Sequence, residues 1–160
     1  MKRRRLLLAL LVVVLLALGA WFALTQVSLS ALSGPGRAET YLATRAKRFL
    51  VGRSAREGVP PAPPNDAASV AAGRMLFGGR CASCHGYDGR TPTDIGRAMY
   101  PRTLDLGSPE VQAWSDAELF WIIKNGIRLS GMPGFGKIHS DEETWHLVHY
   151  LRTLGTPPPR

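Results

Sequence analysis

Cysteine is nearly absent from this chain. There are two, Cys81 and Cys84, in 160 residues. A pair that close in sequence excludes the disulfide framework that staples many small exported domains. Alternating apolar and polar residues are also missing over any length that would make a strand, so a sheet is not expected. Acidic residues are scarce: 12 Asp and Glu face 20 Lys and Arg, for a net charge of +8. That surplus does not lie where a nucleic-acid-binding domain needs it. Lys2, Arg3, Arg4 and Arg5 carry half of it. Arg37, Arg45, Lys47, Arg48, Arg53 and Arg56, against Glu39 and Glu57, carry the rest. From residue 65 onward, acidic and basic side chains balance, so no nucleic-acid partner is expected.

Charge is missing altogether from "LLLALLVVVLLALGAWFALT", residues 6 to 25. A helix of about 20 apolar residues spans a hydrocarbon core of ~30 Å. The basic tail, residues 1–5, stays cytoplasmic by the positive-inside rule, so the chain beyond the helix is exported. Residues 6–26 therefore read as a single-pass anchor in a bacterial cytoplasmic membrane, with the rest on the periplasmic face. A cleaved secretory signal is the alternative. Its apolar stretch is normally shorter, and Ser28-Leu29-Ser30 would be its processing site.

Residues 27–64 form a basic segment and a spacer. Leu42, Ala46, Phe49 and Leu50 recur at helical spacing among arginines. This suits either a helix on an anionic membrane surface or an acidic partner, or a solvated linker helix. "VPPAPPND" then favours an extended, semi-rigid spacer, placing the domain boundary near residue 65.

Residues 65–156 read as a mostly helical domain, and 157–160 as a Pro-rich tail. Asp66 caps a helix that Gly78-Gly79 should end. Residues 86 to 109 show turns and no periodicity. Ser115/Glu118 and Ser140/Glu143 have capping-box spacing, and Gly126 and Gly155 come after them as stops. Between the first helix and the turns lies "CASCH", residues 81–85. A redox dithiol of thioredoxin type would need a βαβ setting, which is missing. Zinc would need Cys81, Cys84, His146 and His149 to converge, with the two histidines on a helix. A histidine directly after C-x-x-C points instead to c-type haem, with two thioethers on one porphyrin edge and His85 under the iron.

"GRMLFGGRCASCHG", "MYPRTLDL", "ELFWIIKNGIRLSGMPGFG" and "WHLVHYLRTL" together resemble monohaem class I cytochromes c, above all membrane-anchored bacterial ones. The resemblance covers residues 66 to 155 and implies an all-α haem domain with long loops. It implies one covalent haem c on Cys81 and Cys84, with His85 proximal and Met132 of the "GMPG" loop distal. Met99 and His139 are the runners-up as sixth ligand. Met75 is expected in the core, and His146 and His149 at the last helix's surface or edge. The family also implies a proline carbonyl accepting from the proximal histidine, here Pro101, with Pro92 as competitor. Trp121, Ile123, Ile127 and Phe135 are expected to wall the haem pocket. Gly73, Phe77 and Tyr150 match its helix crossing. The implied role is a membrane-tethered one-electron carrier, not an enzyme, with redox proteins of respiratory-type membrane complexes as partners and no small-molecule substrate. The alternatives are a fixed electron-inlet subunit of a dehydrogenase or oxidase, or a haem-based ligand sensor.

Overall fold

The computed structural model describes residues 2–26, 28, 30 and 32–155. The expected Pro-rich tail lies outside them. Two compact units result, Met1–Ser33 and the chain from Gly34 onward. The first holds α1, Lys2–Thr25, a continuous helix with no buried residue. It is long and apolar enough to cross a membrane.

The second unit is built from short helices, and no strand occurs among the described residues. α2 spans Arg37–Ala55, α3 Ala67–Leu76, α4 Ala82–His85 and α5 Asp94–Ala98. α6 spans Pro109–Gln112, α7 Asp116–Asn125 and α8 Asp141–Leu154. Asp66 caps α3 by accepting from Ser69 N at 2.8 Å. Both expected capping boxes form, at the starts of α7 and α8. Each satisfies orphan N–H groups from both directions, which sharpens where the helix begins.

α3 does not stop at Gly78-Gly79. A π-helical turn, Phe77–Cys81, carries the chain straight into α4. The two glycines face open space. They therefore end nothing by sterics, and the wider turn delivers Cys81 into the next helix. α5 fills part of the stretch read as turns, and α6 begins at its end. Helices of four or five residues are too short to show a period. Their marks are caps: Thr93 for α5, and Ser108 with Pro109 in the first turn for α6.

The core gathers around the crossing of α3 and α8. A Cβ on Gly73 would overlap the His146 backbone carbonyl and sit 2.9 Å from Tyr150 Cβ. Only glycine lets the two backbones come so close. Phe77 and Tyr150 continue the contact, with ring centroids 5.2 Å apart. Val148 and Leu147 are almost fully enclosed.

The compact unit begins at Gly34 rather than near residue 65. Val51 and Ala55 of α2 are buried, and α2 lies against α7. The Arg48 guanidinium stands 4.4 Å over the Trp114 ring and donates to Glu110 O at 3.2 Å. Such a cation–π contact is worth ~1 kcal/mol. The proline run is not a free spacer. Val59 packs on the core, and Pro60 O accepts from Trp145 Nε1 at 3.2 Å.

Two consequences can be measured. Gly73→Ala should lower stability by ~2 kcal/mol or more, since the backbones must part. A reduced urea midpoint with unchanged slope checks this. His149 is buried, and its Nδ1 lies 2.6 Å from Ser69 Oγ. Burial, opposed by Asp116 and Asp66 and aided by His146, holds its pKa below the usual histidine range. The fold thus favours the neutral ring, while the unfolded chain takes up a proton below pH ~6.5. His149 stabilisation is present above that pH and is lost as pH falls toward the folded value. Stability measured from pH 7.5 to 5 should decline, and His149→Gln should flatten that decline.

Candidate functional site

The CASCH turn grows directly out of the core. Cys81 ends the π turn, Cys84 lies in α4, and His85 is its last residue. Gly86 then reverses the chain at φ 76°, a conformation side chains disfavour, and its N–H donates to Ala82 O at 2.9 Å. The next loop folds back over α4. Thr93 N donates to Cys84 O at 3.1 Å, and Thr93 Oγ1 donates to Ser83 O at 2.7 Å. Asp88 accepts from the Arg90 and Thr91 N–H groups, both at 2.9 Å. Those bonds hold its carboxyl below the usual range.

Both cysteines are free and half-buried. Burial, with Cys84 close by, pushes the Cys81 thiol up to about 11. His85 Nδ1 lies 3.4 Å from Leu104 O. With Nδ1–H donating there, the lone pair sits on Nε2, the nitrogen left for a metal. Burial lowers the His85 pKa, opposed by the bond to Leu104. The neutral ring required of a ligand is therefore favoured.

The acceptor is thus Leu104, three residues beyond the expected Pro101. Pro101 is exposed and is joined to Tyr100 through a cis peptide bond. The competitor's carbonyl, at Pro92, accepts from Arg97. Nothing in a leucine could have marked this role, because only its backbone oxygen acts.

Met132 sits in a second loop, which returns along the end of α7. Phe135 N donates to Ile123 O at 3.0 Å, Gly136 N to Lys124 O at 2.8 Å, and Ile127 N to Met132 O at 3.2 Å. Gly126 permits this return: its φ is 70°, and a Cβ there would lie 2.5 Å from Gly134 N. Met132, Ile127, Trp121 and Phe135 are half-buried and pack on the same core as Cys81, while Ile123 belongs to that core. Met99 is the neighbour among the runners-up, its Sδ pressed against Gly131.

Two other expectations are corrected. Met75 is not in the core but 77 % exposed. His149 is not at the surface but buried at the crossing. It shares Ser69 Oγ with His146, whose Nδ1 lies 2.7 Å away. That shared hydroxyl, which sequence reasoning missed, occupies both rings away from Cys81 and Cys84. His139 is buried beside Phe135, with centroids 5.8 Å apart and Nε2 without a partner. No group of three His, Cys, Asp or Glu able to hold a metal occurs among the described residues.

These residues fit a covalent haem. Two unpaired thiols share one helical turn, and the adjoining imidazole has its Nδ1 committed and Nε2 free. A soft thioether stands in a separate loop. Apolar side chains left half-exposed around both, including Leu104 at 38 %, offer a flat apolar macrocycle the surface it requires.

Comparison with known proteins agrees. The family model described as cytochrome C oxidase, cbb3-type, subunit III matches residues 68–151. No curated protein matches the chain. Among solved structures, a chain of the Kuenenia stuttgartiensis reducing HAO-like protein complex Kustc0457/Kustc0458 is similar, with a TM-score of 0.56 and 23 % identity. That match covers 61 % of this chain, which spans about half, 48 %, of the other. Cytochrome CL from the marine methylotrophic bacterium Methylophaga aminisulfidivorans MPT matches at a TM-score of 0.44 and 19 % identity, covering 79 % of this chain and 71 % of that one. With the matched segment running from α3 to α8, the chain belongs to the cytochrome C oxidase, cbb3-type, subunit III family, as a class I cytochrome c domain carrying covalent haem c.

Proposed function

We propose that this cytochrome is a membrane-tethered one-electron carrier with His85 and Met132 as axial ligands. The observation that carries the reading is the CASCH turn itself, with Leu104 O holding His85 so that Nε2 is free. Bound haem supplies a reversible one-electron couple. The chain's own residues hold it, exclude water and set its potential. Cys81 and Cys84 fix one porphyrin edge. Met132, a soft ligand, favours the ferrous state and raises the potential. With His85 and Met132 both holding the group, no coordination site would remain for a substrate, and the protein would act as a carrier rather than an enzyme. α1 anchors the chain with its basic tail cytoplasmic and the haem domain outside. Tethering keeps the domain at a high effective concentration near membrane-bound redox partners.

The family's description favours a second reading, a fixed electron-inlet subunit of an oxidase. Co-purification in constant stoichiometry after detergent extraction selects it; recovery of a free cytochrome selects the carrier.

The test of ligation is optical. The purified full chain should be low-spin in both redox states, show the far-red sulfur-to-iron band when oxidised, and ignore carbon monoxide when reduced. Met132→Ala should abolish that band, lower the potential and admit carbon monoxide. If Met99→Ala does so instead, the neighbouring thioether is the ligand. A wild-type protein that binds carbon monoxide readily has an open iron, and the sensor reading replaces the carrier.

A further inference from the structure

α2 has two faces. Thr44, Arg48, Val51 and Ala55 recur every three or four residues and lie against the rest of the unit. Leu42, Ala46, Phe49 and Arg53 recur at the same spacing on the opposite side. A helix docked by one stripe normally shows water a polar one. Here Leu42 is 66 % exposed, Phe49 69 % and the adjacent Leu50 57 %. Contiguous apolar surface of this kind marks an interaction site.

The flanks say what covers it. Arg45, Arg53 and Arg56 are all exposed, in or beside the apolar stripe. The acid within the helix, Glu39, is engaged by the Tyr100 hydroxyl. An apolar stripe bordered by arginines is the pattern of a helix lying in a bilayer interface. Residues 26–36, between α1 and α2, reach at most ~40 Å even when extended. A chain anchored by α1 therefore cannot carry α2 far from the lipid.

We propose that the outward face of α2 rests in the headgroup layer of a bilayer carrying anionic lipid, holding the haem domain in a set orientation. The inference rests on the tethering proposed for α1. Each exposed arginine near such a surface strengthens the attraction.

The experiment uses the full-length reduced holoprotein, one copy per nanodisc, in phosphatidylcholine with or without phosphatidylglycerol. A nitroxide is placed by Ala46→Cys, and its accessibility to oxygen and to a nickel chelate is read. With phosphatidylglycerol present, nickel accessibility should fall several-fold and oxygen accessibility rise. The triple variant Arg45→Glu, Arg53→Glu, Arg56→Glu should reverse this while the haem spectrum stays unchanged. A label equally open to nickel in both lipids, in protein that stays with the disc, overturns the proposal and leaves the tether intact. Protein eluting apart from discs of either composition overturns both. Protection that tracks the number of copies per disc, not the anionic lipid, overturns it too, and assigns the face to a second copy.

Discussion

Everything in the haem domain hangs on the contact between the α3 backbone at Gly73 and the α8 backbone at His146. The crossing fixes the direction in which α3 leaves the core. The π turn and α4 continue it without a break, so the crossing also fixes Cys81, Cys84 and His85. α8 is entered from the Met132 loop, whose residues 135 and 136 are pinned to the end of α7. One close approach of two helices therefore positions both the CASCH turn and the Met132 loop, although they lie far apart in sequence. A crossing held by glycine and flanked by Phe77 and Tyr150 is stiff, since close-packed interiors transmit displacement instead of absorbing it.

The loops are built differently. Besides the apolar side chains they pack on the core, their backbone groups return to helix ends. Thr93 N reaches Cys84 O, Phe135 N reaches Ile123 O, and Gly136 N reaches Lys124 O. Arg152 extends this from α8, bonding to Asp116 at 2.6 Å and Trp114 O at 2.6 Å. The loops can then hold ligands in place without regular structure, because each bond is made to an element the core already fixes.

This division explains what could be read from the sequence. Caps, helix faces and CASCH are statements about side chains at fixed offsets, and those at Asp66, Ser115 and Ser140 form as expected. Backbone-to-backbone choices leave no such trace. Leu104 offers His85 a carbonyl that any residue possesses, so the resemblance to a proline pointed three positions short. Gly78 and Gly79 looked like a stop because glycine ends helices in general. In this chain the wider turn tolerates them. His149 looked superficial because it is polar, yet the Ser69 hydroxyl satisfies it in the interior.

The segment between anchor and domain shows the limit of composition most clearly. Its arginines and prolines read as a solvated linker or a surface helix ahead of a spacer. The structure divides the same residues by angle around one helix. Val51, Ala55 and Arg48 belong to the domain, whereas Leu42, Phe49 and Arg53 are left to the outside. A flexible tether raises local concentration but leaves the haem edge free to turn. With α2 packed against α7, a surface that held α2 would also orient α7, and with it the Met132 loop bonded along α7's end.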